Sequence, residues 1–310
     1  MKTFLVALGA VAVLLATAVP GYVLKKKNMV SEDTMPALSK ILLYICTPCL
    51  SIYTFKNATF SMQMLGNILI FALLALIVQI LMLGIAYLLF RRKMKNPLYR
   101  IMTIACSLGN CAFFGIPILE ALYPETASGL LIYTSVYAII MNVIGWTLGA
   151  AIISQNLKYV SAKKVFLNPA MFALVLAIPF FIFEIPLPES VDSMVSLLGR
   201  MATPISMLIM GMRLATTDFK RMFTTKQVYL SISMKQFLMP LICLLMVAFL
   251  PVDSGMKAVL YIICCCPVAS VVLNFSEILG EGQREAAATV LLSTILSIAT
   301  LPIMTLLIPA

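Results

Sequence analysis

A stretch of apolar sequence from Ser107 to Pro117 holds residues that interrupt helices beside one polar amide. It contains Gly109, Asn110 and Gly115 ahead of the proline. Two glycines, an asparagine and a proline cannot sustain a regular ladder of helical hydrogen bonds. We therefore expect the helix to break there. The half-helix that follows the break would present free N–H groups and partial positive charge, which suits an anionic group such as a carboxylate.

A second stretch has the same character in the other half of the chain. Pro267 follows Cys264–Cys266, and Ser270 and Asn274 come shortly after it. Backbone groups freed at such a break need protein, ion or water partners, because lipid offers none. If the two helices break and cross, their ends would build one central site. The alternative is that Pro and Gly only kink two packed helices.

Other polar side chains also fall inside apolar segments. Asn142 is costly there unless it is hydrogen-bonded or faces water, so it predicts either a ligand contact or helix packing. Arg200 lies about ten residues into a segment and predicts a partner, either a substrate carboxylate or a protein acid such as Asp192. Lys235 and Arg213 are expected to extend towards the nearer membrane surface.

The amino-acid composition indicates the class of protein to which these residues belong. The 310 residues are 62% hydrophobic and 11% charged, with a mean hydropathy of +1.05. Soluble domains carry about twice that share of charge. The chain has no His, and Cys46–Cys49 forms a C-x-x-C without a redox or zinc context, so neither a metal nor a cofactor is expected. The net charge of +10 sits in short clusters between apolar runs, which argues against nucleic-acid binding.

About ten apolar runs are long enough to cross a bilayer core of about 30 Å. They span 3–24, 35–55, 62–90, 101–122, 127–153, 168–184, 190–214, 227–250, 256–279 and 286–309. Basic residues concentrate in alternate connections, and these connections are therefore expected to be cytoplasmic. The connections hold Lys25–Lys27, Arg91, Arg92, Lys93, Lys95, Arg100, Lys158, Lys163, Lys164, Lys220, Arg221, Lys226 and Arg284. The sequence thus predicts a multi-pass protein of the cell membrane with both termini outside.

The chain resembles itself at an offset of about half its length. Thr47-Pro48 corresponds to Thr203-Pro204, with Ser51 and Ser206 just beyond the match. Similar matches place Ala18-Val19-Pro20 against Ala177-Ile178-Pro179, Gln79-Ile80-Leu81-Met82 against Gln236-Phe237-Leu238-Met239, and Glu120-Ala121-Leu122 against Glu277-Ile278-Leu279. The offsets of 156 to 159 predict two five-helix units, 1–155 and 156–310. Because five is odd, the second unit would be inverted, as in secondary transporters with a midplane site.

The stretch from Ser107 to Pro117 resembles the S/G-N-x-G-F-x-G-I-P element of the auxin efflux carrier family, which includes bacterial relatives of plant PIN carriers. The segments 267–280 and 286–302 are similar to its ninth and tenth helices. This resemblance implies ten helices of the sodium/bile-acid-symporter type. It implies a scaffold of helices 1, 2, 6 and 7, and a transport unit of helices 3–5 and 8–10 with broken helices 4 and 9 crossing at Pro117 and Pro267. It also implies that Asn142 lines the substrate site and that the substrates are organic acids, including dicarboxylates and auxin-like aromatic acids.

The sequence therefore predicts an all-α integral membrane protein that carries small organic anions by alternating access. The expected substrate site comprises Thr47, Ser51, Gly109, Asn110, Gly115, Pro117, Asn142, Arg200, Pro267, Ser270 and Asn274. Coupling to a proton, to sodium or to neither is left open, as is a monomer or a homodimer. The rival function is a ligand sensor built on a transporter fold. The sequence contains none of the common motifs of enzyme active sites.

Overall fold

The computed structural model describes residues 1–156, 169–280 and 282–309. The basic residues Lys158, Lys163 and Lys164 lie outside this part of the chain. Every regular element within it is a helix. In chain order the helices are α1 Lys2–Lys26, α2 Thr34–Lys56, α3 Met62–Phe90, α4 Pro97–Ala105, α5 Cys111–Leu122, α6 Gly129–Ser154, α7 Pro169–Ile182, α8 Glu189–Thr216, α9 Phe219–Thr224, α10 Lys226–Ala248, α11 Ser254–Cys265, α12 Val271–Leu279 and α13 Gln283–Met304.

Seven of these helices are long and apolar enough to cross a membrane, since a crossing needs about 20 apolar residues. They are α1, α2, α3, α6, α8, α10 and α13. Three shorter apolar helices, α5, α7 and α11, accompany them. The protein is therefore an all-helical, multi-pass membrane protein.

Helices α2, α5 and α10 each contain a widened, π-helical turn shortly before a proline. Proline lacks an N–H group and its ring presses on the carbonyl four residues earlier, and a widened turn relieves both problems. The turns cover Leu42–Cys46 before Pro48, Cys111–Gly115 before Pro117 and Met234–Leu238 before Pro240. Each of them changes the direction of the side chains that follow along the helix.

Helices α1 and α8 pack with their backbones in direct contact. A Cβ atom added to Gly211 would overlap the carbonyl oxygen of Ala18 and lie 2.8 Å from the backbone nitrogen of Tyr22. Gly21 faces Leu208 in the same way, at 2.9 Å from its Cα. Small residues permit such close approach in membranes, where van der Waals packing holds helices together.

Helix α2 packs against α7 and the first half of α8, so α1, α2, α7 and α8 form one contiguous group. A second group includes the short helices α5 and α11, which both pack on α6. There α3 packs on α6, α10 and α6 pack on α11, and α13 packs on α4 and α10. The two regions with predicted helix breaks both lie in this second group.

Candidate functional site

Both stretches that sequence analysis singled out lie between two separate helices. Helix α4 ends at Ala105 and α5 begins at Cys111, while α11 ends at Cys265 and α12 begins at Val271. The connecting residues are not helical, so their backbone N–H and C=O groups need other partners.

These connecting residues supply partners to each other. Gly109 pairs with Val268 in an antiparallel bridge, the single bridge of this kind among the described residues. Two hydrogen bonds flank it: the N–H of Asn110 donates to the carbonyl of Pro267 (2.8 Å), and the N–H of Ala269 donates to the carbonyl of Leu108 (2.9 Å). The two interruptions are therefore joined through main-chain atoms.

A cavity of about 390 Å³ lies against this pairing. Its wall includes the first residues of both half-helices, Cys111 and Ala112 of α5 and Val271 of α12. Seven of the predicted site residues line it: Thr47, Ser51, Gly109, Asn110, Asn142, Ser270 and Asn274. The N–H groups of Cys111, Val272 and Leu273 already donate to the carbonyls of Gly109, Ala269 and Ser270, so the half-helix ends contribute chiefly the partial positive charge of their N-termini to this wall.

Two residues that line the cavity carry a buried side-chain donor with no hydrogen-bond partner among the described residues. The donors are Nδ2 of Asn110, whose residue is 5% exposed, and the indole Nε1 of Trp146. The Trp146 ring packs on Phe275 with ring centroids 4.9 Å apart, which holds the indole in place. A buried donor without a partner costs about 1–3 kcal/mol. Both atoms are N–H donors, so the group that would satisfy them is an acceptor.

Three other polar residues of the wall donate to backbone carbonyls of their own helices. The hydroxyl of Thr47 donates to Leu42 (2.7 Å) and that of Ser51 to Thr47 (3.0 Å), while the amide of Asn142 donates to Ala138 (2.8 Å). The hydroxyl oxygens of Thr47 and Ser51 remain available as acceptors. These residues are thus partly satisfied by the fold, in contrast to Asn110 and Trp146.

Four predicted site residues lie elsewhere. Pro117 and Arg200 line a neighbouring cavity of about 510 Å³, whose wall shares Leu50 and Ile116 with the first. Gly115 packs behind the pairing, where an added Cβ would lie 3.5 Å from Sγ of Cys266. Pro267 contributes its carbonyl to the bond described above.

Arg200 has a protein partner other than the acid considered from sequence. Its guanidinium donates to the hydroxyl of Tyr53 (2.9 Å) and lies 5.4 Å from the centroid of that ring. Asp192 is bound by Lys56 instead. The alternative that paired Arg200 with Asp192 is therefore wrong, because α2 supplies a nearer lysine to that carboxylate.

One end of the first cavity is bounded by an ion pair between the two helix groups. Glu277 of α12 lines the cavity, and its Oε1 atom lies 3.0 Å from Nη1 of Arg213 on α8. Both side chains are partly exposed. Arg213 thus pairs with a carboxylate at the edge of the site.

The expectation that Lys235 extends to a membrane surface is wrong. The residue is 0% exposed, and its Nζ donates to the carbonyl of Cys264 (2.7 Å). It follows Lys226, the first residue of α10, by nine positions, which is roughly 13 Å along a helix. It also lies in the widened turn Met234–Leu238, which directs its side chain towards the end of α11.

Sequence analysis missed Trp146 and two hydroxyl residues as parts of the cavity wall. Trp146 lies between Gly145 and Gly149, a spacing of small residues that favours close helix packing rather than a ligand contact. Thr134 and Ser135 line the cavity, and the Ser135 hydroxyl lies 2.7 Å from that of Thr54 on α2. Adjacent hydroxyl residues within an apolar span are a signal for such a wall.

Comparison with known proteins gives one match over nearly the whole chain. The family model described as membrane transport protein matches residues 6–305. The search of curated proteins gave no match.

Proposed function

The chain belongs to the auxin efflux carrier family of membrane transport proteins, and on this premise we propose that it carries small organic anions across the cell membrane by alternating access. The observation that carries the anion assignment is the cavity wall at the paired interruptions. It combines two half-helix N-termini with the unpartnered donors of Asn110 and Trp146. A carboxylate has two acceptor oxygens and a negative charge, so it complements such a wall.

The size and surface of the cavity favour a substrate with an apolar body. Its volume of about 390 Å³ falls within the range of small-molecule sites, about 300–1,000 Å³. Tyr44, Phe113 and Trp146 contribute aromatic surface to the wall. These features support auxin-like aromatic acids as well as dicarboxylates, with the polar residues Ser270 and Asn274 available to a second polar group.

The helix packing supports the proposed architecture of ten membrane segments in two inverted units, 1–155 and 156–310. The seven long helices and the three short apolar ones add to ten segments, and the two interrupted segments correspond in order. The group of α1, α2, α7 and α8 would be the scaffold. The other group would be the transport unit, with its broken helices crossing at the Gly109–Val268 pair.

Alternating access requires the two groups to move relative to each other. The cavity lies between them, since Thr47 and Ser51 belong to α2 while Asn110 and Ser270 belong to the interrupted segments. Movement of the second group against the first would expose the cavity on alternate sides of the membrane. Both termini would lie outside, and the transport would be facilitated or coupled to a proton or sodium.

Uptake into proteoliposomes tests this proposal. We expect labelled aromatic and dicarboxylic acids to be taken up and their amide analogues to be excluded. Asn110→Ala should lower uptake at least tenfold, whereas Asn57→Ala, an asparagine outside the cavity wall, should leave it unchanged. Equal uptake of acids and amides would refute the anion assignment. Binding without any uptake would indicate a sensor instead of a carrier.

A further inference from the structure

Lys235 is a fully buried lysine whose single hydrogen-bond partner among the described residues is a backbone carbonyl. Its Nζ donates to Cys264 at the end of α11, and none of the ion pairs between described residues includes it. A lysine buried this deeply is expensive to keep unless the charge is used or compensated. Its position therefore requires an explanation beyond packing.

The surroundings of Nζ are those of a helix C-terminus. The last carbonyls of a helix lack intrahelical partners and carry partial negative charge. At the end of α11 this shortage is increased by Pro267, which has no N–H to offer. In transporters with broken helices, unwound carbonyls and half-helix C-termini are the groups that hold a coupling cation. The ammonium of Lys235 occupies that kind of position.

The corresponding place in the first half is built without a cation. The sequence offset that aligns Gln79 with Gln236 aligns Val78 with Lys235, and Val78 is fully buried and apolar. At the end of α4 the carbonyl of Ile104 accepts the backbone N–H groups of Ser107 and Leu108, at 3.1 and 3.2 Å. The carbonyl of Met102 accepts the hydroxyl of Ser231 on α10 at 3.2 Å, so the described donors at that end are all uncharged. The end of α11 uses the lysine.

Lys235 also lies directly behind the wall of the anion cavity. A Cβ atom added to Gly109 would lie 3.0 Å from both Nζ and Cε of the lysine, and Gly109 itself lines the cavity. The charged side chain on the wall, Glu277, is negative and paired with Arg213. A buried charge separated from the cavity by a glycine is only weakly screened.

We propose that Lys235 is a built-in cation that stands in place of a coupling sodium ion at the end of α11 and attracts the anionic substrate through the Gly109 wall. This rests on the proposed anion transport. Two consequences follow. Transport should not require sodium, and the loss of the ammonium should weaken binding of anions much more than binding of neutral analogues.

The test measures initial uptake of a labelled carboxylate by proteoliposomes in sodium and in choline medium. For the wild type we expect the same rate in both media, within twofold. Lys235→Met, which is unbranched, one atom shorter and uncharged, should raise KM for the carboxylate at least tenfold. Lys226→Met, an exposed lysine at the start of the same helix, is the matched control and should behave as wild type.

A second variant addresses the case in which Lys235→Met does not fold. Lys235→Ala removes most of the side chain, so propylammonium should raise its thermal unfolding temperature and its uptake, while the wild type should not respond. Sodium-dependent uptake by the wild type would overturn the proposal. An unchanged KM in folded Lys235→Met, or no response of Lys235→Ala to propylammonium, would do the same. If the wild type took up no carboxylate in either medium, the proposed anion transport would itself have failed.

Discussion

Replacing Asn110 by Asp tests whether the cavity binds an anion, because the two side chains have nearly the same size. The change exchanges the unpartnered Nδ2 donor for a carboxylate oxygen. Asn110→Ala is the intermediate step, since it removes the donor without adding charge. An anionic substrate should therefore bind in the order Asn, Ala, Asp, from tightest to weakest. A cationic substrate would bind most tightly to the Asp variant.

The expected magnitudes follow from the burial of Asn110, which is 5% exposed. A hydrogen bond to a charged group contributes about 1.5–3 kcal/mol, so Asn110→Ala should weaken binding by roughly 10- to 150-fold. The Asp variant adds repulsion between two carboxylates. At about 4 Å and an effective dielectric constant of about 20 this is about 4 kcal/mol, which brings the total loss beyond roughly 1,000-fold.

The assay is titration of purified protein with a labelled carboxylate, combined with thermal unfolding without substrate. Removing an unpartnered donor removes a desolvation cost, so Asn110→Ala should be at least as stable as wild type. Gln236→Ala is the control: its buried amide nitrogen donates to the carbonyl of Ser293 at 2.8 Å while its Oε1 atom has no partner among the described residues, so the variant loses a formed hydrogen bond and should be destabilised. The reasoning is refuted if Asn110→Asp binds the carboxylate as tightly as wild type. It is equally refuted if Asn110→Ala is destabilised as much as Gln236→Ala.

Three further outcomes are expected. Trp146→Phe keeps an aromatic ring but loses the indole donor, so carboxylate affinity measured by titration should fall about tenfold, and unchanged affinity would remove Trp146 from the site. Gly211→Ala should destabilise the protein by about 1–3 kcal/mol in chemical unfolding because the added methyl meets backbone, whereas Gly9→Ala, with open space around it, should not. Glu277→Gln breaks the pair with Arg213, which is partly exposed and contributes at most about 1 kcal/mol. Turnover at saturating substrate should therefore change by up to about fivefold, with little change in unfolding temperature. A large loss of stability would contradict a role limited to the relative movement of the two helix groups.

The helix interruptions were readable from sequence because Gly109 and Pro267 act through the backbone alone. Glycine and proline destabilise a helix whatever residues surround them, so their positions predict where the helix is interrupted. The clustering of Asn110, Asn142 and Ser270 around one cavity was likewise expected, since polar side chains in apolar helices must meet each other or a ligand. The family was also identified correctly from these motifs.

The errors and omissions concern residues whose role depends on the direction of a side chain. The direction of the Lys235 side chain depends on a widened, π-helical turn, and no single residue type predicts such a turn. Arg200 could not be paired correctly because its partner, Tyr53, lies 147 positions away on another helix. Trp146 has the composition of a packing residue, and only its neighbours show that its N–H has no partner. Sequence patterns therefore located the breaks better than they located the contacts.

The bond between Asn110 and Pro267 and its companion between Ala269 and Leu108 involve no side-chain atoms. Mutation can therefore exchange most side chains around the Gly109–Val268 pair while the two hydrogen bonds persist. The main-chain pairing is therefore independent of the side chains that determine which substrate binds. A carrier built this way can acquire a new substrate through a few replacements on the cavity wall, and the same property makes it a promising starting point for engineering.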